Sequence, residues 1–189
     1  MVRPCDADTA LRELKDKGIR VGSVAGFPWG FTTTSAKLYE ARDLLRRGVQ
    51  QINVYVNIGK MVSRQFEYCE TELYQMNESC KESGAILKVI VDAKLGEEMK
   101  ILACRMTKRI RAPFAAITEN RDIDLMKKHT GLVAELEVGG VKTLDEILAL
   151  HQQGVAHYQT TAVEQILDEW QKRLEAQAKQ ITNSPTPAG

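Results

Sequence analysis

VAGFPWGFTTTSAKLYEA, running from Val24 to Ala41, holds the whole grammar of the chain in one passage. It opens on the end of a short β-branched apolar run, Val21–Ala25, which reads as a strand. A Gly-Phe-Pro-Trp-Gly turn follows, then a threonine run. Next comes a stretch, Ser35–Arg47, in which Leu38, Ala41, Leu44 and Leu45 recur at helical spacing.

The same alternation continues outward. Apolar runs at Val21–Ala25, Ile52–Ile58, Leu87–Val91, Phe114–Thr118, Val133–Val138 and Val155–Thr160 predict strands. Stretches Ser35–Arg47, Phe66–Ser83, Glu97–Arg109, Ile123–Lys128, Leu144–Gln153 and Ala162–Ala178 predict helices. Another helix is expected over Thr9–Lys17, with Asp8 as its N-cap and Gly18 as its stop. Gly48, Gly84, Gly131 and Gly154 each close a helical stretch before a strand, where a positive φ suits glycine. Strict strand–helix alternation means a parallel sheet with right-handed crossovers, so the class is α/β. The pattern by itself allows a barrel or a doubly wound sheet. Neither GxGxxG nor GxxxxGK[ST] occurs, which argues against dinucleotide and nucleoside-triphosphate sites.

The 189 residues suffice for one domain with a sizeable core. With 26 Lys+Arg against 25 Asp+Glu there is no basic field for nucleic acid. No apolar run reaches the ~20 residues of a membrane span. The start, MVRPCDADTALRE, lacks the apolar core of a secretory signal. Cys5, Cys69, Cys80 and Cys104 match no zinc spacing and read as reduced packing residues, so a cytoplasmic or other reducing compartment is expected. His129, His151 and His157 have no ligand spacing, and neither a metal nor a cofactor is expected.

Val24–Ala41 resembles a signature of the deoxyribose-phosphate aldolase family, in which a strand ends in GFP-x-G before a threonine run, a lysine and an acidic helix. QINVYVNIG (Gln51–Gly59) resembles that family's EIDMVINIG. LKVIVD (Leu87–Asp92) resembles LKVIIE, and VGGVKTLDEILAL (Val138–Leu150) resembles SGGIRTLEDALAM. The match runs in order from about Pro4 to about Leu167. It implies a (β/α)₈ barrel and an ancestral reaction, the reversible cleavage of deoxyribose 5-phosphate to glyceraldehyde 3-phosphate and acetaldehyde. That chemistry uses one lysine as a Schiff-base nucleophile, a second to lower its pKa, and a carboxylate to shuttle protons.

At those positions the titrating groups are gone. The Schiff-base lysine opens the family's KTSTG, and FAAITEN puts Ala116 in its place. The second lysine belongs to VKASGG, and ELEVGG puts Leu136 there. The acid of EIDMVIN is replaced by Asn53, which cannot exchange a proton near neutral pH. The phosphate end is partly kept. Gly139 and Gly140 match paired glycines whose amides face a phosphate, and Thr160 and Thr161 lie near the family's GTSSG. Gln159, Ala162 and Val163 replace parts of that motif, and the loop TENRDIDLM is short.

The resemblance also begins late, with Val2–Pro4 matching only the end of the family's second strand. A TIM-barrel-like domain over residues 1–178 is therefore expected to be incomplete, without its first two strands, and followed by a flexible tail over 179–189. Three explanations stay open: the missing part comes from self-association or a protein partner, the sheet is capped by a larger assembly, or the sequence is a piece of a longer one.

Other residues are weighed against this frame. Lys94, after the third strand, could be a relocated nucleophile with Asp92 or Glu119 as acid. Lys37 and Lys60 match no catalytic position and are expected to be solvated. Glu135 and Glu137 fall on the face opposite Leu136, expected to be the helix side. Phe27, Trp29 and Phe31 form a local aromatic cluster at the mouth. Three functions compete. The chain is an inactive aldolase relative serving as a structural or regulatory subunit, an enzyme with relocated catalytic residues, or a module binding a sugar phosphate at Gly139–Gly140.

Overall fold

The computed structural model describes residues 1–118, 122–131 and 135–182, apart from the side chains of 135–137 and 179–182. A 3₁₀ turn, Pro4–Asp6, leads into α1 (Ala7–Glu13). Strands and helices then alternate: β1 (Gly22–Ala25), α2 (Thr34–Arg46), β2 (Gln51–Tyr55), α3 (Ile58–Val62), α4 (Phe66–Glu82), β3 (Ile86–Val91), α5 (Glu97–Arg109), β4 (Phe114–Ile117), α6 (Ile123–Thr130), β5 (Glu135–Gly139), α7 (Leu144–Gln152), β6 (His157–Gln159) and α8 (Val163–Thr182). The strands form a six-stranded sheet in sequence order, every pair parallel.

The register sorts the sheet into two faces. Ile52, Val54, Leu87, Val89, Val91, Ala115, Ile117 and Val138 belong to the main core cluster. They pack with Leu44 of α2, Leu73 and Met76 of α4, Met106 of α5 and Met126 of α6. The opposite face carries Val24, Asn53, Tyr55, Lys88, Ile90, Phe114, Ala116 and His157. Helices on one face of a parallel sheet whose other face is also largely closed explain why the strands read as continuous apolar runs.

Local chemistry sets the helix ends. Thr33 caps α2 by accepting from the Ala36 amide, and Thr143 and Glu146 form a reciprocal capping box on α7. Cys69, Leu73, Met76 and Cys80 recur along α4 and are all fully buried. These departures from the sequence reading have local causes. The second strand stops at Tyr55 because the Asn57 side chain accepts from the Lys60 amide and starts α3. The first helix begins two residues early and ends at Glu13 rather than Lys17, and Asp8 is no cap: its carboxylate accepts from Arg47 at 2.8 Å. Helix α8 extends to Thr182, into the segment expected to be tail, and residues 183–189 lie outside the described residues.

Among the described residues the sheet is not closed. At the β1 edge, the Val2 amide donates to the Gly22 carbonyl at 2.8 Å, and Ser23 Oγ donates to the Val2 carbonyl at 3.0 Å. Between β1 and β6 lies a cavity of about 300 Å³ lined by Met1, Gln51, Asn53, Lys88, His157 and Val163, among others. No described helix is long and apolar enough to cross a membrane. All four cysteines are free, with only Cys5 exposed.

Candidate functional site

Parallel pairing lines up residues across the sheet in rows. One row on the face away from the core runs Val24–Asn53–Lys88–Phe114–Glu135. The next runs Tyr55–Ile90–Ala116–Glu137–His157. Ala116 is buried, in register with Ile90. Asn53 sits one row lower and is also buried, its Oδ1 accepting from Gln51 Nε2 at 2.9 Å and its amide donating to Met1 Sδ. Both acceptor and donor of Asn53 are thus engaged, as a shape-keeping residue requires. The Leu136 backbone pairs with Ala115, and Glu137 takes the register position beside Ala116. The side chains of Glu135, Leu136 and Glu137 lie outside the described residues, as does Glu119.

Lys94 is exposed, on the turn after β3. Its backbone amide donates to Asp92 Oδ1 at 2.7 Å, so Asp92 builds the turn that carries it. The Asp92 carboxylate is mostly buried, and Thr118 Oγ1 accepts from the neighbouring Ala93 amide at 3.2 Å. Burial, reinforced by the negative charge of Asp92, raises the Tyr55 phenol above its usual range. Phe27 meets Tyr55 edge-on at 5.9 Å between ring centroids.

The loop that carries Phe27, Trp29 and Phe31 stands on a buried ion pair, and here the expectation for Lys37 is wrong. Lys37 is 0% exposed, and its Nζ lies 2.6 Å from Glu72 Oε1, itself 1% exposed. Thr34 Oγ1 donates to the other carboxylate oxygen at 2.9 Å. The Lys37 stem runs under the loop so closely that a Cβ on Gly26 would sit 2.7 Å from its Cε. Gly26 also has φ of +69°, which only glycine adopts without strain. Helical periodicity puts Lys37 one position before Leu38 but says nothing of a carboxylate thirty-odd residues on, so the sequence gives no local sign of the pair. Lys60 behaves closer to expectation: partly exposed, it reaches Gln65 Oε1 at 2.8 Å and lies 4.7 Å from the Tyr68 ring centroid.

One interior residue, Lys88, has no role in any motif of the sequence. Lys88 is 5% exposed, and its Nζ lies 5.9 Å from the Phe114 ring centroid. His157 meets Phe114 edge-on at 4.6 Å. Period-two alternation within LKVIVD could have flagged Lys88, since it shares a face with Ile90 and Asp92. The apolar run masked it.

At the far end of the sheet the register sets Gly139 beside Gln159, so Gly139–Gly140 and Thr160–Thr161 occupy neighbouring strand ends. Gly140 has φ of +78° with open space where a Cβ would stand. A cavity of about 270 Å³ here is lined by Thr118, Gly139, Gly140 and Glu146. Glu146 Oε2 accepts from the amides of Lys142 at 2.8 Å and Thr143 at 3.3 Å. Thr160 Oγ1 accepts from the Ala162 amide at 2.9 Å, and Thr161 is exposed. The backbone donors at the start of α7 therefore already hold a carboxylate, which opposes a second anion.

No protein-family model matches the chain. A deoxyribose-phosphate aldolase from Enterococcus faecalis is 31% identical over 163 residues, covering 81% of this chain and 74% of the relative. Among solved structures, the aldolase QR15 superposes with a TM-score of 0.85 at 23% identity, over 93% of this chain and 82% of its own. The tetrameric deoxyribose phosphate aldolase from Aeropyrum pernix gives a TM-score of 0.79 at 19% identity, over 89% and 75%. These likenesses, with the parallel sheet and the GFPWG and Gly139–Gly140 loops at its strand ends, place the chain in the deoxyribose-phosphate aldolase family.

Proposed function

We propose that this chain is a catalytically inactive member of its family, serving as a structural or regulatory subunit of an oligomer. The observation that carries the reading is Ala116. At the place of the family's Schiff-base lysine stands a buried methyl group, with no amine to attack a carbonyl. Asn53, at the place of the acid, is hydrogen-bonded on both sides and cannot take a proton from a substrate carbon. Glu146 at the glycine end of the sheet weakens the case for a retained sugar-phosphate site. Self-association is supported by the tetrameric state of the Aeropyrum pernix relative and by the unclosed sheet.

A second reading is favoured by one specific residue. Lys88 is a buried amine in the same row as Asn53 and borders the cavity between β1 and β6. An enzyme with relocated chemistry would use it, rather than the exposed Lys94.

Borohydride reduction in the presence of acetaldehyde or deoxyribose 5-phosphate, followed by peptide mapping, separates the two. The expected result is no adduct above that of surface lysines and no aldol cleavage. A specific adduct on Lys88 or Lys94 would replace the first reading with the second.

A further inference from the structure

Among the described residues, the cavity between β1 and β6 is lined by charge of one sign. Lys88 and Arg20 both border it, and no described carboxylate does. Lys88 is 5% exposed, so its ammonium stands in a low-dielectric wall, where a charge acts more strongly on an ion than in bulk water. That ammonium has three N–H donors, so one partner does not exhaust it. Arg20, at the rim, is exposed and presents the planar donor fork that suits carboxylate and phosphate. Two side-chain amides stand beside these cations. Gln51 Nε2 donates to Asn53 Oδ1 at 2.9 Å, and the buried Asn53 gives one of its two amide hydrogens to Met1 Sδ. His157 and Thr160 line the same space from β6 and the turn after it. This is not the cavity at Gly139–Gly140. The two share no described lining residue, and only the glycine-end cavity contains a described carboxylate, that of Glu146.

We infer that the flank cavity binds a small metabolite through an anionic group, carboxylate or phosphate, held by Lys88 and Arg20. Its volume of about 300 Å³ is at the small end for ligand pockets and suits a molecule of few heavy atoms. Met1 and Val163 supply an apolar part of the lining, against which a short carbon chain can rest. An anion held by charge and hydrogen bonds need not react, so such a site is independent of whether the chain is catalytically inactive.

The test is titration of the full chain with sodium phosphate, sodium acetate and, as a neutral control, glycerol, at constant ionic strength, followed by amide NMR shifts. Saturable millimolar binding of at least one anion is expected, with shift changes centred on Gly22, Gln51, Asn53 and His157 and none that saturate with glycerol. Tighter binding of acetate marks a carboxylate ligand, and tighter binding of phosphate a phosphorylated one. Lys88→Met should weaken binding about tenfold or more, and Arg20→Ala by a smaller factor, because each removes charge-assisted hydrogen bonds. Lys60→Ala, at a lysine outside the cavity lining, should leave binding unchanged. Arg20 is exposed and the shift map needs no variant, so the two decide the matter should Lys88→Met fail to fold. Shift changes centred on Gly139, Gly140 and Thr161 would put the anion in the other cavity and overturn the site. So would the absence of saturable binding, or binding that a folded Lys88→Met variant retains or that Arg20→Ala leaves unchanged. Glycerol bound as tightly as the anions would overturn the anionic class. None of these outcomes bears on the loss of catalysis, which the borohydride experiment decides separately.

Discussion

Replacing Lys37 with Met would leave the Glu72 carboxylate buried without its cation, and the cost follows from the geometry. The two groups are 2.6 Å apart and almost fully enclosed. At an effective dielectric of ~20 their gross attraction is on the order of 6 kcal/mol, most of it offset by the cost of taking both ions out of water. Removing one partner forfeits the attraction and keeps the desolvation cost, which typically destabilises by about 3–5 kcal/mol. For a chain of this size that lowers the melting temperature by roughly 10 °C. Glu72→Gln should cost a similar amount, since Lys37 then loses its counter-charge. The double variant Lys37→Met/Glu72→Gln keeps an acceptor for Thr34 and should lose less than either single change. Because the Lys37 stem supports Gly26 and Gly30, the single variants should also loosen the loop that carries Trp29. Acrylamide quenching in a Trp170→Phe background reads that directly, as Trp29 is then the sole tryptophan. The measurements are urea titrations of all three variants. A loss below about 1 kcal/mol for Lys37→Met, or a double variant as damaged as the singles summed, would refute this account of the pair.

Gly26→Ala should destabilise by roughly 1–3 kcal/mol in urea titration, because its methyl group meets the Lys37 stem and its φ is positive. Ala116→Lys alone should give no measurable cleavage of deoxyribose 5-phosphate in a coupled aldehyde assay, since Asn53 supplies no proton shuttle. Burial pushes the thiols of Cys69 to about 11 and of Cys80 and Cys104 to about 12. Only Cys5 should therefore react with a thiol reagent in the native state near neutral pH. These folded values lie above the ordinary thiol value of 9.0, so the unfolded chain releases protons first as pH rises. Their contribution is fully present below about pH 8.5 and is lost between there and pH 12, by roughly 1.4 kcal/mol per thiol per pH unit at most. Unfolding curves at pH 7, 9 and 10 check the slope, and unchanged stability at pH 10 would count against buried neutral thiols.

Alternating patterns are local, and so the sequence by itself determined the parallel α/β fold. The α5 limits, Glu97–Arg109, match the structure, and each expected strand overlaps an observed one. The motif positions likewise located Asn53 and Ala116 on their strands, because the residues around them hold the register. Environment is another matter, since it depends on residues far away in the chain. Lys37 looks like a solvated helix lysine until α4 brings Glu72 against it. Lys88 looks like an interruption of an apolar run until pairing places it between Asn53 and Phe114. The partner of Ala116 across β4 and β5 is set by register, which puts Glu137 there rather than Leu136. And Val163, Leu167, Trp170 and Leu174 read as an ordinary amphipathic stripe. Only the tertiary structure decides that nothing in the described chain covers them, because burial belongs to the packing of whole elements and a helix carries no record of which neighbour will be there to meet it.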